Sequence, residues 1–124
     1  MEPTKRILIV EDDKYLRDLY VELLKGAEYS VEEASDGEEG YSKAFQGGYD
    51  LILLDLMLPK MDGIQILSKL QDGQAKMPNK AVVILTSVGQ DDTIAKGISL
   101  GARGYLLKSD YNPAQLLKEL QNYL

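Results

Sequence analysis

The sequence predicts a parallel, doubly wound α/β domain of five strands and five helices. Short apolar runs alternate five times with segments of helical spacing, with no low-complexity stretch between them. Three of those runs are apolar throughout, as strands covered on both faces should be. Cap and turn residues also fall where the first helix must start and stop and where the last must start.

In chain order, the first strand is Ile7-Leu8-Ile9-Val10, closed by three acids, Glu11-Asp12-Asp13. A helical stripe of Leu16, Leu19, Tyr20, Leu23 and Leu24 follows; Asp12 or Asp13 can cap it, and Gly26 lies near its end. The second strand is read over Tyr29 to Ala34 and the second helix over Gly37 to Phe45. The third strand, Leu51 to Leu54, delivers the carboxylate of Asp55 before the chain runs Leu56-Met57-Leu58-Pro59 and turns at Asp62-Gly63 into a helix ending near Leu70. Ala81 to Leu85 make the fourth strand and Asp92 to Leu100 the fourth helix. Gly97 costs that helix about 1 kcal/mol relative to Ala, which makes it the most pliable of the five. Tyr105-Leu106-Leu107 form the last strand, and Asn112-Pro113 start a final helix with the stripe Leu116, Leu117, Leu120 and Leu124.

Right-handed crossovers put helices on both faces of such a sheet, and a flavodoxin-like order 2-1-3-4-5 is the natural five-strand solution. Periodicity does not itself encode that order. In that order the switch point lies between the first and third strands, so Glu11, Asp12, Asp13 and Asp55 face one crevice at the carboxyl edge, where ligands bind in this architecture.

Composition narrows the chemistry. The 124 residues are 44% hydrophobic, enough for one core, and a single domain over 1–124 without an output domain is expected. There is no cysteine, so neither disulfides nor thiolate metal sites arise, and no apolar run approaches the roughly 20 residues of a membrane span. The N-terminus, Met1-Glu2-Pro3-Thr4-Lys5-Arg6, shows no signal-peptide pattern, so a cytoplasmic protein is expected. The net charge of −6 argues against direct binding of nucleic acid. Histidine is absent as well, which leaves chemistry to carboxylates, hydroxyls and lysines.

Acids crowded at one strand edge repel one another unless a cation neutralises them, and an all-oxygen set selects Mg²⁺ or a similar ion such as Mn²⁺. Helix capping and a favourable helix dipole account equally for one or two of these acids. Thr86 ends the fourth strand and Lys108 the fifth, so both join the same edge. A hydroxyl and an ammonium beside carboxylates suit a phosphoryl group, and Asp55 is placed as a carboxylate nucleophile toward phosphorus.

Over Lys5 to Leu124 the chain resembles the response-regulator receiver domains of two-component signalling. The likeness rests on the strand closing on Glu11-Asp12-Asp13, the run Asp55 to Gly63, the Leu85-Thr86-Ser87 end and the Gly104-Tyr105-Leu106-Leu107-Lys108 end. It implies that Asp55 accepts a phosphoryl group from a histidine kinase or phosphotransfer protein. It also implies that Mg²⁺ is held by Asp12 directly, by Asp55, by Glu11 largely through water and by the Met57 backbone carbonyl. Asp13 matches less firmly and reads as the helix cap. Thr86 and Lys108 would hold phosphoryl oxygens, and Tyr105 would match an aromatic that rotates inward as Thr86 moves. The switched face would comprise the fourth helix, fifth strand and fifth helix. Its output partner is unnamed: it acts on another protein or on a domain absent from this chain, as a monomer or a phosphorylation-dependent dimer.

The chain departs from the family after Lys108, where proline and a cis peptide are usual and Ser109 stands instead. A trans loop and a strained cis loop are both compatible with serine, the latter at roughly 2.5 to 4 kcal/mol. Ser87, where a smaller residue is common, could trim access to the phosphate. Two other functions compete: a phosphorylation-independent pseudo-receiver, and a Mg²⁺-dependent phosphohydrolase. The second wants an acid two residues after Asp55 and finds Met57. Flavin binding is weaker still, because no phosphate loop is present. The expected role is thus a phospho-acceptor rather than an enzyme, with at most slow self-phosphorylation from small donors and self-dephosphorylation.

Overall fold

The computed structural model describes residues 4–73, 75–87 and 91–124. Met1 to Pro3, part of the lead into the first strand, lie outside the described residues. Five strands, β1 (Arg6–Val10), β2 (Ser30–Ala34), β3 (Leu51–Leu54), β4 (Val82–Thr86) and β5 (Gly104–Leu107), alternate with helices. These are α1 (Lys14–Gly26), α2 (Gly37–Gln46), α3 (Gly63–Asp72), α4 (Asp91–Ser99) and α5 (Pro113–Gln121). The strands pair in parallel in the order β2-β1-β3-β4-β5.

Helix starts follow local chemistry. Asp13, rather than Asp12, caps α1: its carboxylate accepts from Leu16 N at 3.0 Å. Asp36 does the same for α2. Reciprocal capping boxes, Asp62 with Gln65 and Asn112 with Gln115, start α3 and α5, and Pro113 occupies a first-turn position where no N–H is needed.

Alternate strand residues feed two cores. Ile7, Ile9, Leu51, Leu53, Val83 and Leu85 pack beneath Leu24 of α1 and Leu116 and Leu120 of α5. Leu8, Val10, Ile52, Leu54 and Ile84 face Ala44 of α2 and Ile66 and Leu67 of α3. Burial on both faces is why the central strands read as unbroken apolar runs. Each fully buried aliphatic side chain contributes roughly 1.5–3 kcal/mol, so the three central strands form the rigid base of the carboxyl edge.

Candidate functional site

Strand register assembles the site. Val10 pairs with Leu54, which sets the residues that follow them, Glu11 and Asp55, side by side at the switch point. The ladder runs one step past the strands: Glu11 N donates to Ala34 O and Asp55 N to Val10 O, both at 3.1 Å. The two acids therefore leave the sheet from fixed backbone.

Lys108 reaches them from the end of β5. Its Nζ bonds Asp55 Oδ2 at 2.7 Å and also contacts Glu11 Oε1, and all three side chains are at least nine-tenths buried. The remaining carboxylate oxygens are held by backbone: Met57 N donates to Asp55 Oδ1 and Asp13 N to Glu11 Oε2, each at 3.2 Å. Burial pushes the Glu11 carboxyl above its ordinary range; Lys108 opposes that shift and the Asp55 charge adds to it. Burial alone would lower the Lys108 ammonium, but its bonds to Asp55 and Glu11 outweigh it and hold the group above its usual value.

Asp12, exposed, completes the acid group: one carboxylate oxygen from each of Glu11, Asp12 and Asp55 lies within 4.8 Å of the others. The donors are all hard oxygens, and a groove of about 500 Å³ lined by Asp12, Met57, Leu58, Pro59 and Asp62 opens beside them. Such donors fit a small divalent cation that retains waters. The Met57 side chain is exposed, leaving its backbone as the part turned to the acids.

Thr86, buried, closes β4 opposite Leu107, the residue before Lys108. Tyr105 pairs with Ile84, which by strand alternation puts it on the same sheet face as Thr86. The residue is 49% exposed, so it is only half covered by the protein. Lys108–Asp110 form a single 3-10 turn, and no cis peptide occurs among the described residues: the Lys108–Ser109 bond is trans. Ser87 is exposed just beyond Thr86.

Two residues beside the site carry no mark in the sequence. Tyr20, in the sequence simply one member of the apolar stripe of the first helix, is buried close enough to Glu11, Asp55 and Lys108 to feel their charges, and burial pushes its phenol up to about 12. Arg17 lies off the apolar stripe of α1 yet folds back on the acid loop, donating from Nη1 to Glu11 O at 2.8 Å. Helical spacing places Arg17 on a polar face and says nothing of that backbone partner.

Comparison with known proteins agrees with this arrangement. The model for the response regulator receiver domain matches residues 7–121. The transcriptional regulatory protein SrrA of Staphylococcus aureus is 34% identical over 121 residues, covering 98% of this chain and 48% of that protein. The chain therefore spans about half the length of the curated relatives it matches. Among solved structures, chemotaxis protein CheY4 of Vibrio cholerae superposes with a TM-score of 0.85 at 32% identity, covering 98% of this chain and 100% of that one. A CheY-like receiver domain protein from Methanospirillum hungatei gives 0.85 at 30% identity, over 97% and 93% of the two chains. Sheet order, the placing of the acids and a match over nearly the whole length agree, and the chain belongs to the response regulator receiver domains of two-component signalling.

Proposed function

We propose that Asp55 is the phospho-acceptor of this receiver, charged by a histidine kinase or phosphotransfer protein in the presence of Mg²⁺ or Mn²⁺. The observation that carries the reading is the buried bond from Lys108 Nζ to Asp55 Oδ2, set beside Glu11 and Asp12 at the carboxyl edge of the sheet. Phosphoryl transfer asks of a protein mainly position and charge, and this edge offers both.

In the step proposed, an Asp55 carboxylate oxygen forms the new bond to phosphorus while the phosphorus–nitrogen bond of the donor phosphohistidine breaks. The leaving imidazole takes the electron pair and a proton from solvent. Asp12 and Asp55 would hold the cation directly, with Glu11 largely through water and the Met57 carbonyl as a further oxygen. When bound, the ion would offset the negative charge shared between the acids and the phosphoryl oxygens. Lys108 would turn from carboxylate to phosphoryl oxygen, and the Thr86 hydroxyl would donate to another.

Output follows from those two contacts. Thr86 drawn toward the phosphate vacates space on the face it shares with Tyr105, and the ring turns inward, reshaping the α4–β5–α5 surface. SrrA is a transcriptional regulator; by likeness, the output proposed here is recognition of another domain or protein by that surface, with a monomer or a phosphorylation-dependent dimer as the acting form. Turnover as a phosphohydrolase is disfavoured because Met57 supplies no proton two residues after the nucleophile.

The test is incubation with acetyl phosphate and Mg²⁺ followed by intact mass. The expected result is one added phosphoryl group, absent without divalent cation and absent in Asp55→Ala. No adduct with acetyl phosphate or with a competent kinase overturns the reading, and many phosphates released per protein would favour the hydrolase.

A further inference from the structure

We propose that Arg17 is a positioning residue that sets the divalent-cation affinity of the acid cluster by fixing the backbone that carries Glu11 and Asp12. The proposal rests on the reading of that cluster as a Mg²⁺ site.

Arg17 projects from the second turn of α1 back over the loop before it. Nη1 donates to Glu11 O at 2.8 Å and lies 3.4 Å from Asp12 O, and Nε donates to Glu33 Oε1 at 3.0 Å. Its side chain is only 12% exposed, whereas the Glu33 carboxylate it pairs with is 45% exposed, so the guanidinium is largely withdrawn from water while its tether stays at the surface. Glu33 sits near the end of β2 and is itself anchored, its backbone carbonyl accepting from Lys43 Nζ at 2.6 Å. Glu11 N meets Ala34 O at the same strand end. One guanidinium thus ties the peptides of both acids to the neighbouring strand, a task suited to its rigid fork of donors.

Arg17 forms no ion pair with the three carboxylates of the cluster; its bonds there go to the peptide carbonyls of Glu11 and Asp12. Groups that orient metal ligands in this indirect way typically change affinity by 10- to 100-fold when removed. The charge of Arg17 works in the opposite direction. A positive group beside the acids repels an incoming cation, so charge alone makes its removal tighten binding. Positioning and charge therefore forecast opposite signs.

Titration calorimetry of MgCl₂ into the full chain separates them. Arg17→Ala is expected to raise the Mg²⁺ Kd about tenfold, and the Mg²⁺ concentration for half-maximal phosphorylation by acetyl phosphate should rise by the same factor. Glu33→Gln, which keeps the guanidinium charge but weakens its tether, should raise Kd by a smaller factor in the same direction. Should Arg17→Ala not fold, Arg17→Lys carries the test, because one ammonium cannot span two carbonyls and Glu33, and its Kd should also rise. A wild-type Kd matched or bettered by the folded Arg17 variants overturns the positioning role and leaves the site reading intact. Absence of Mg²⁺ binding in the wild type overturns both.

Discussion

Lys108 Nζ and Asp55 Oδ2 meet at 2.7 Å although 53 positions separate them in the chain. The ammonium also contacts Glu11, so one cation stands between two buried acids. Removing it leaves two carboxylates facing each other in a poorly hydrated place. Lys108→Ala is therefore expected to lose about 3–5 kcal/mol at neutral pH, read from urea unfolding. A loss close to zero would show that the acids rehydrate freely and that the pair contributes little.

Divalent cation should act on stability through the same acids. A ligand that binds only the folded state stabilises it by about 2.7 kcal/mol at a hundredfold excess over Kd. Mg²⁺ is thus expected to raise the Tm of the wild type and to leave Asp12→Ala nearly unmoved. Chelation by EDTA should reverse the gain, and an equal rise in both proteins would place the ion elsewhere.

Gly63 begins α3, after the loop that follows Asp55. A Cβ there would come within 2.6 Å of the Asp55 carbonyl oxygen and 2.9 Å of Leu56 Cα, both backbone atoms that cannot swing aside. Gly63→Ala should cost about 1–3 kcal/mol and slow phosphorylation by displacing the Asp55 peptide. Thermal unfolding and acetyl phosphate labelling measure the two effects, and wild-type behaviour in both would mean that the loop yields without consequence.

At alkaline pH the phenols of Tyr20 and Tyr49 should contribute to unfolding, alongside loss of the Lys108 charge. Burial pushes each up to about 12, and the Glu32 carboxylate accepting from Tyr49 Oη adds to the second. A group whose folded pKa lies above its unfolded value of 10 supports the fold fully below pH 10, and that support is lost as pH rises through about 12. Stability is expected to fall across this window, with phenolate absorbance rising together with loss of helical signal. Tyr49→Phe should flatten the fall; an unchanged slope removes Tyr49 from the effect.

Phosphorylation should bury Tyr105. The ring is half-exposed and on the face of Thr86. Acrylamide quenching of tyrosine emission, compared between wild type and Tyr105→Phe, is expected to drop on phosphorylation only in the wild type. Equal quenching before and after would take Tyr105 out of the switch.

The sequence makes some of this legible for definite reasons. Leu51 to Leu54 read as a buried strand because both faces are covered, and the pairs Asp62/Gln65 and Asn112/Gln115 mark their helices because capping is local. The candidate site follows once strand ends are aligned, which is why Asp55, Thr86 and Lys108 could be grouped from their positions. Contacts between remote residues are another matter. Whether Asp12 or Asp13 caps α1 depends on the path of one loop, and the bonds of Arg17 to Glu11 O and Glu33 join atoms that no spacing rule connects. Serine at 109 is likewise compatible with either peptide isomer, and it is the 3-10 turn at Lys108–Asp110 that carries the trans bond.

The acids, the hydroxyl and the ammonium come from the ends of four different strands, and the last of them, Lys108, follows β5. A chain still emerging from the ribosome, or one nicked before β5, holds the acceptor carboxylate without its cationic partner. Under the function proposed above, the charge partner of the receiving carboxylate is therefore in place only once β5 has joined the sheet.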